Sequence, residues 1–155
     1  EVLNRSLDFA AGVSLGAEGT LDKFLGDGLM AIFNAPDKQH DHVHRAADAA
    51  IALMKAAREV NEIYGHRLTY SVGVNVGEAV VGYIGTERAL NYTAIGDTVN
   101  LAKRLQESSA PGQIIVEEAI IKRLGNQVKA RPLGELRVKG RKTPAFAYEL
   151  IDVRS

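Results

Sequence analysis

Apolar residues along the chain switch repeatedly between helical and strand-like spacing. Leu3, Leu7, Ala10, Ala11 and Leu15 recur at helical intervals, so a helix is predicted over Val2 to Leu15, with Gly16 and Gly19 as its stop. Thr20 to Leu25 and Leu29 to Phe33 read as two short strands. Gly26-Asp27-Gly28 between them reads as a tight turn, and Asn34-Ala35-Pro36 ends the second strand. The longest helical pattern starts after Asp41, a predicted N-cap, and runs to about Tyr64. Val43, Ala46, Ala47, Ala50, Met54, Ala57 and Ile63 form its apolar stripe, and Gly65 ends it. Leu68 to Asn75 and Ala79 to Ile84 alternate like strands around a Val76-Gly77-Glu78 turn. A shorter helix is predicted from about Thr98 to Glu107, capped by Asp97. Ile114 to Val116 then reads as strand and Glu117 to Leu124 as helix. Leu136 to Val138 and Ala145 to Leu150 close the chain as strands.

Hairpins interleaved with long helices predict an α+β fold, an antiparallel sheet with helices packed on it. With one more strand ahead of Glu1 the order becomes βαββαβ, a ferredoxin-like sandwich with additional C-terminal strands. On this reading the first strand is missing from this chain. Pro and Gly are scattered, and neither repeats nor low-complexity stretches occur, so residues 1–155 read as a single domain. At 155 residues and 46% hydrophobic content the chain has enough apolar mass for one sizeable core.

Nineteen basic side chains balance nineteen acidic ones. A formal charge of zero argues against nucleic acid as a partner and against a polybasic membrane anchor. Cysteine is absent, which excludes disulfides, thiolate zinc sites, iron–sulfur clusters and cysteine nucleophiles, and suits a reducing compartment. A cytoplasmic location is therefore expected, and the parent protein could be membrane-attached. No apolar run reaches the ~18 residues of a spanning helix, so direct membrane insertion is not expected. The chain starts at Glu1 without an initiator Met or a signal-peptide pattern, so it is expected to be an excerpt with an upstream regulatory domain.

Three segments carry candidate chemistry. In Lys23-Phe24-Leu25-Gly26-Asp27-Gly28 the glycine turn exposes the Asp27 carboxylate, the hard oxygen donor that Mg²⁺ prefers. Taken alone, Gly-Asp-Gly is equally an ordinary turn, and Lys23 a solvated edge lysine. Asn100 and Arg104 stand one helical turn apart, beside the apolar pair Leu101 and Leu105. An amide can orient a sugar and a guanidinium can stabilise phosphoryl charge; alone, the pair is also unremarkable on a helix surface. Val138-Lys139-Gly140-Arg141-Lys142 is either a phosphate contact or a basic surface turn. His40, His42 and His44 lack an evident fourth ligand and read as solvated residues at a helix start rather than as a zinc site.

The combination is more informative than its parts. Lys-x-x-Gly-Asp-Gly at Lys23 is followed by Gly-Glu-x-Val-Val-Gly-x-x-Gly at Gly77–Gly85. Tyr-Thr-x-Ile-Gly-Asp-Thr-Val-Asn-x-Ala-x-Arg-Leu from Tyr92 and Val-Lys-Gly at Val138 complete the series. In this order the chain closely resembles the class III nucleotidyl cyclase catalytic domain, the family of adenylyl and guanylyl cyclases, from Leu3 to about Asp152.

That resemblance implies conversion of a nucleoside triphosphate to a 3′,5′-cyclic monophosphate and pyrophosphate, with two Mg²⁺ or Mn²⁺ ions per site. Asp27 matches the second metal-binding aspartate. The first belongs on a strand upstream of Glu1, and Asp8 does not replace it, so the excerpt by itself is expected to be nearly inactive. Asn100 matches the ribose-positioning asparagine and Arg104 the arginine that stabilises the α-phosphate transition state. Lys139 matches the lysine on the terminal phosphates, and Arg88 a further triphosphate-binding arginine. Lys23 and Thr93 match the two base-reading positions. Lysine only donates, so it suits adenine N1 and opposes the guanine N1–H, and the Thr93 hydroxyl can accept from the adenine 6-amino group. The implied substrate is ATP, although family adenylyl cyclases often carry Asp where this chain has Thr93. The resemblance also implies a head-to-tail homodimer with sites shared between protomers. A catalytically incompetent nucleotide-binding or dimerisation module of the same family is the alternative. The Gly-Gly-Asp/Glu-Glu-Phe hairpin of diguanylate-type synthases is not matched by Gly26-Asp27-Gly28-Leu29.

Overall fold

The computed structural model describes residues 3–6, 11–18, 29–33, 40–65, 69–86, 89–137 and 143–154. The elements run β1 (Leu3–Ser6), β2 (Ala11–Glu18), β3 (Leu29–Phe33), α1 (His42–Tyr64), β4 (Thr69–Asn75), β5 (Ala79–Thr86) and β6 (Ala89–Ile95). They continue with α2 (Asp97–Ser108), β7 (Ile114–Glu117), α3 (Glu118–Leu124), β8 (Val128–Leu136) and β9 (Ala145–Val153). A six-stranded sheet has the order β3-β2-β4-β7-β9-β8, and a three-stranded sheet the order β1-β5-β6. Only β4 and β7 pair in parallel, across the α2 connection; the other described pairs are antiparallel. The fold is the expected α+β class. The β2–β3 hairpin followed by α1 and β4 supplies its ferredoxin-like part, and β8 and β9 are the C-terminal additions.

The sheet separates two cores. On one side α1 and α3 cover Val72, Val74, Ile114, Val116 and Leu150. On the other, Leu101 and Leu105 of α2 pack on Ile115, Ala145 and Ala147. Four alanines in the α1 stripe, Ala46, Ala47, Ala50 and Ala57, are buried, which lets the helix axis lie close to the strands. Gly65 ends α1 in the left-handed conformation, φ 69°, with its N–H on the Asn61 carbonyl.

Several expectations are corrected. The helix predicted over Val2–Leu15 is absent: Leu3–Ser6 and Ala11–Glu18 are strands. Ala11, Val13, Leu15 and Ala17 alternate with Gly12, Ser14, Gly16 and Glu18, a period of two. Gly12 and Gly16 also weaken a helix by up to about 1 kcal/mol each. Ile63 is 71% exposed rather than buried. The 23-residue α1 is about 35 Å long, whereas the seven-residue β4 spans about 24 Å. The last turn of α1 is exposed, with Tyr64 beside Ile63 at 69%. His42 is buried rather than solvated, because it shares the inward side of the first α1 turn with Val43. Asp41 occupies the N-cap position but makes no capping bond; its carboxylate accepts from Arg45 Nε at 2.7 Å. The cap of α2 is Gly96, with Asp97 the first helical residue, because the strand-to-helix corner there requires φ 136°.

Two strands escaped the pattern. β6 was hidden by its polar residues, although Leu90, Tyr92 and Ala94 alternate with Asn91 and Thr93. β8 contains Pro132 and two register shifts against β9 that break its periodicity, which an edge strand tolerates. The strand predicted over Thr20–Leu25, the Gly26-Asp27-Gly28 turn and the basic segment at 139–142 lie outside the described residues.

Candidate active site

Helix α2 carries Asn100 and Arg104, the two predicted site residues whose side chains the structure describes. Its inward side is fixed by Leu101, Ala102 and Leu105, which are 3%, 2% and 0% exposed. Burying two leucines is worth about 1.5–3 kcal/mol each, so the rotation of the helix about its axis is strongly specified. That rotation leaves Asn100 and Arg104 exposed, one turn apart, as the i, i+4 spacing predicts. Asn100 donates its backbone N–H to the Gly96 carbonyl at 3.1 Å, opening the helical ladder. The Arg104 guanidinium meets Glu107 Oε1 at 2.5 Å, with both side chains about half exposed.

The seat of α2 is unusually close. A Cβ on Gly73 of β4 would lie 2.2 Å from the Ala102 carbonyl oxygen and 2.4 Å from the Gln106 nitrogen. The helix backbone thus rests directly on the strand. At the N-terminal end, the buried Asn75 side chain donates Nδ2–H to the Thr98 carbonyl at 3.1 Å, and Thr98 Oγ1 donates to the Glu78 carbonyl at 2.6 Å.

Thr93 lies on β6, its Cα opposite Gly82 of β5, and β6 leads through Ile95 and Gly96 directly into α2. The structure therefore places the Thr93 backbone and the Asn100–Arg104 pair on consecutive elements. Lys23, Asp27, Arg88 and Lys139 lie outside the described residues. Among the described residues no group of three or more His, Asp or Glu is placed to hold a metal ion. His44 of the histidine cluster instead sets Nε2 2.6 Å from the Arg154 carbonyl, tying α1 to the end of β9. A cleft of about 420 Å³ between α1 and β9, lined by Met54, Lys55, Arg58, Lys129 and Asp152 among others, includes none of the predicted site residues. Among the described residues no helix is long and apolar enough to cross a membrane.

Comparison with known proteins shows the family and the fold. The family profile described as "Adenylate and Guanylate cyclase catalytic domain" matches residues 22–151. Adenylate cyclase 1 of Rhizobium meliloti (strain 1021) is 32% identical over 160 residues, covering 98% of this chain. The chain spans only 24% of that relative's length. Among solved structures, the adenylyl cyclase CyaB from P. aeruginosa superposes with a TM-score of 0.86 at 22% identity, over 99% of this chain and 98% of that one. The guanylyl cyclase Cya2 gives 0.75 at 23% identity, over 94% of each chain. The chain therefore belongs to the adenylate and guanylate cyclase catalytic domain family.

Proposed function

We propose that this domain is an adenylyl cyclase that converts ATP to 3′,5′-cyclic AMP and pyrophosphate at a site shared by two copies of the chain. The observation that carries this reading is the pair Asn100 and Arg104, presented one turn apart on a helix whose other side is locked by Leu101 and Leu105. Asn100 holds the ribose so that its 3′-hydroxyl faces the α-phosphorus. Arg104 donates to the α-phosphate oxygens, where negative charge develops as the 3′-oxygen bond forms and the bond to pyrophosphate breaks. Lys139 and Arg88 hold the terminal phosphates that leave. Lys23 donates to adenine N1, and Thr93 accepts from the 6-amino group.

Arg104 has to exchange Glu107 for phosphate. An exposed ion pair of this kind is worth about 0.2–1 kcal/mol, whereas charge-assisted bonds to phosphate are roughly twice as strong as neutral ones. The exchange therefore favours the nucleotide. Asp27 offers the carboxylate oxygen that Mg²⁺ or Mn²⁺ takes, and two such ions, when bound, screen the phosphates and make the 3′-hydroxyl more acidic.

In a head-to-tail dimer the metal-binding acid comes from one copy and the base-reading, ribose and phosphate residues from the other, which gives two equivalent sites. The test is cyclic nucleotide production from ATP and from GTP with Mn²⁺, in the protein that carries this domain. The expected result is cyclic AMP in preference to cyclic GMP, reduced by about 10²-fold or more in Arg104→Ala. No turnover of either nucleotide, in a folded and dimeric protein, would assign the domain to the non-catalytic module instead.

A further inference from the structure

The geometry points to Asn75 and Thr98 as positioning residues that set where α2, and with it Asn100 and Arg104, stands relative to the nucleotide. This rests on the cyclase reading above and goes beyond it, since neither side chain belongs to the substrate-contacting set.

Three observations converge. Asn75 is 5% exposed, at the last position of β4, and its amide donates to the Thr98 carbonyl in the first turn of α2. A buried amide is retained at a cost unless it is bonded, and here its donor is spent on the helix rather than on the sheet. Thr98 answers with its hydroxyl, which donates to the Glu78 carbonyl on the far side of the Val76-Gly77-Glu78 turn. The first turn of α2 is thus tied to both ends of the β4–β5 connection. Gly77 lies between the two ties, and a Cβ there would come within 2.7 Å of Thr98 Oγ1, so the turn closes directly on the threonine.

Asn100 follows Thr98 by two residues and Arg104 by six. The hydrophobic contacts of Leu101 and Leu105 fix the rotation of the helix but are non-directional along its axis. Hydrogen bonds at its first turn are directional, and they set the axial position to within fractions of an ångström. Reacting groups have to be held to that tolerance, because a displacement of about 1 Å can cost on the order of 10² in rate. Loosening these ties should therefore lower kcat more than it raises KM, since Lys23, Arg88 and Lys139 bind the nucleotide from other segments.

The experiment compares Thr98→Val, Thr98→Ser and Asn75→Ala in the protein that carries this domain. Two readouts are taken: ATP turnover with Mn²⁺ per folded molecule, and amide hydrogen exchange along α2. Thr98→Val replaces the hydroxyl by a methyl group, which cannot donate to the Glu78 carbonyl and cannot approach it to 2.6 Å. Thr98→Val and Asn75→Ala should lower kcat by roughly 10- to 100-fold with KM within about threefold. Both should speed exchange at Asn100, Leu101 and Ala102 while β4 and α1 keep their protection. Thr98→Ser should restore both readouts. A purely structural role would lower the folded fraction and leave kcat per folded molecule unchanged, which overturns the inference. So would unchanged exchange at the start of α2 in both variants, or a Thr98→Ser as slow as Thr98→Val. A wild-type protein that turns over neither ATP nor GTP sinks the cyclase reading and the catalytic half of the inference with it. The exchange measurement then still decides whether the two side chains seat the helix.

Discussion

Gly73→Ala is the sharpest perturbation of the proposed site that avoids every residue proposed to contact substrate. The glycine lies in β4 outside the left-handed region, so its replacement introduces volume rather than left-handed backbone strain. The added methyl group would sit 2.2 Å from the Ala102 carbonyl oxygen and 2.4 Å from the Gln106 nitrogen, and Cβ contacts below 3.0 Å essentially never occur. Both neighbours are backbone, so no side chain can swing aside, and α2 has to retreat by at least 0.8 Å. Retreat also pulls Leu101 and Leu105 from Ile115, Ala145 and Ala147. Overpacking of this kind costs about 1–3 kcal/mol. The accompanying displacement of Asn100 and Arg104 should slow catalysis by on the order of 10²-fold. Urea unfolding measures the first effect and kcat with saturating ATP the second. A Gly73→Ala protein with wild-type stability and wild-type kcat would show that α2 does not rest on β4 as described, and the placement of the site would fail with it.

Other outcomes follow from the same geometry. Asp27→Ala and Arg104→Ala proteins should each be inactive as homodimers, yet a mixture should regain activity through one intact site per heterodimer. Absence of complementation in demonstrated heterodimers would refute the shared site. Lys23→Glu exchanges a donor for an acceptor and should lower the ratio of ATP to GTP turnover; an unchanged ratio would mean that Lys23 does not read the base. Asp41 is held below its ordinary 3.8 chiefly by the hydrogen bond from Arg45. As pH falls, the unfolded state takes up this proton first, so the stabilisation is complete above the ordinary value and disappears as pH drops through the folded one. The stability difference between wild type and Asp41→Asn should therefore be present at neutral pH and close in acid; a difference independent of pH would deny the ion pair any role.

Long periodic elements were legible in the sequence. α1, β4, α2 and β7 appear within a few residues of their predicted bounds because each buries one clear stripe or run. The opening segment was misjudged because Leu3, Leu7, Ala11 and Leu15 fit a helical spacing as well as a strand spacing, and only pairing with β5, β3 and β4 separates the two. The exposed pair on α2 was legible because the Leu101–Leu105 stripe dictates where Asn100 and Arg104 must point. The ties made by Asn75 and Thr98 were not. They join residues 23 and 20 apart, each through a side chain and a carbonyl, and no periodicity encodes such a bond. The closeness of α2 to Gly73 was equally invisible, since a glycine in a strand signals a near approach without saying of what.

Helix α2 is fed by β6 of the small sheet but lies on β4 and β7 of the large one. Its bearing thus records how the two sheets are set against each other, much as a pointer hinged to one plate and sliding over another reads their offset. A shift of the β5–β6 hairpin against the large sheet would therefore reach the first residue of that helix directly, through Ile95 and Gly96.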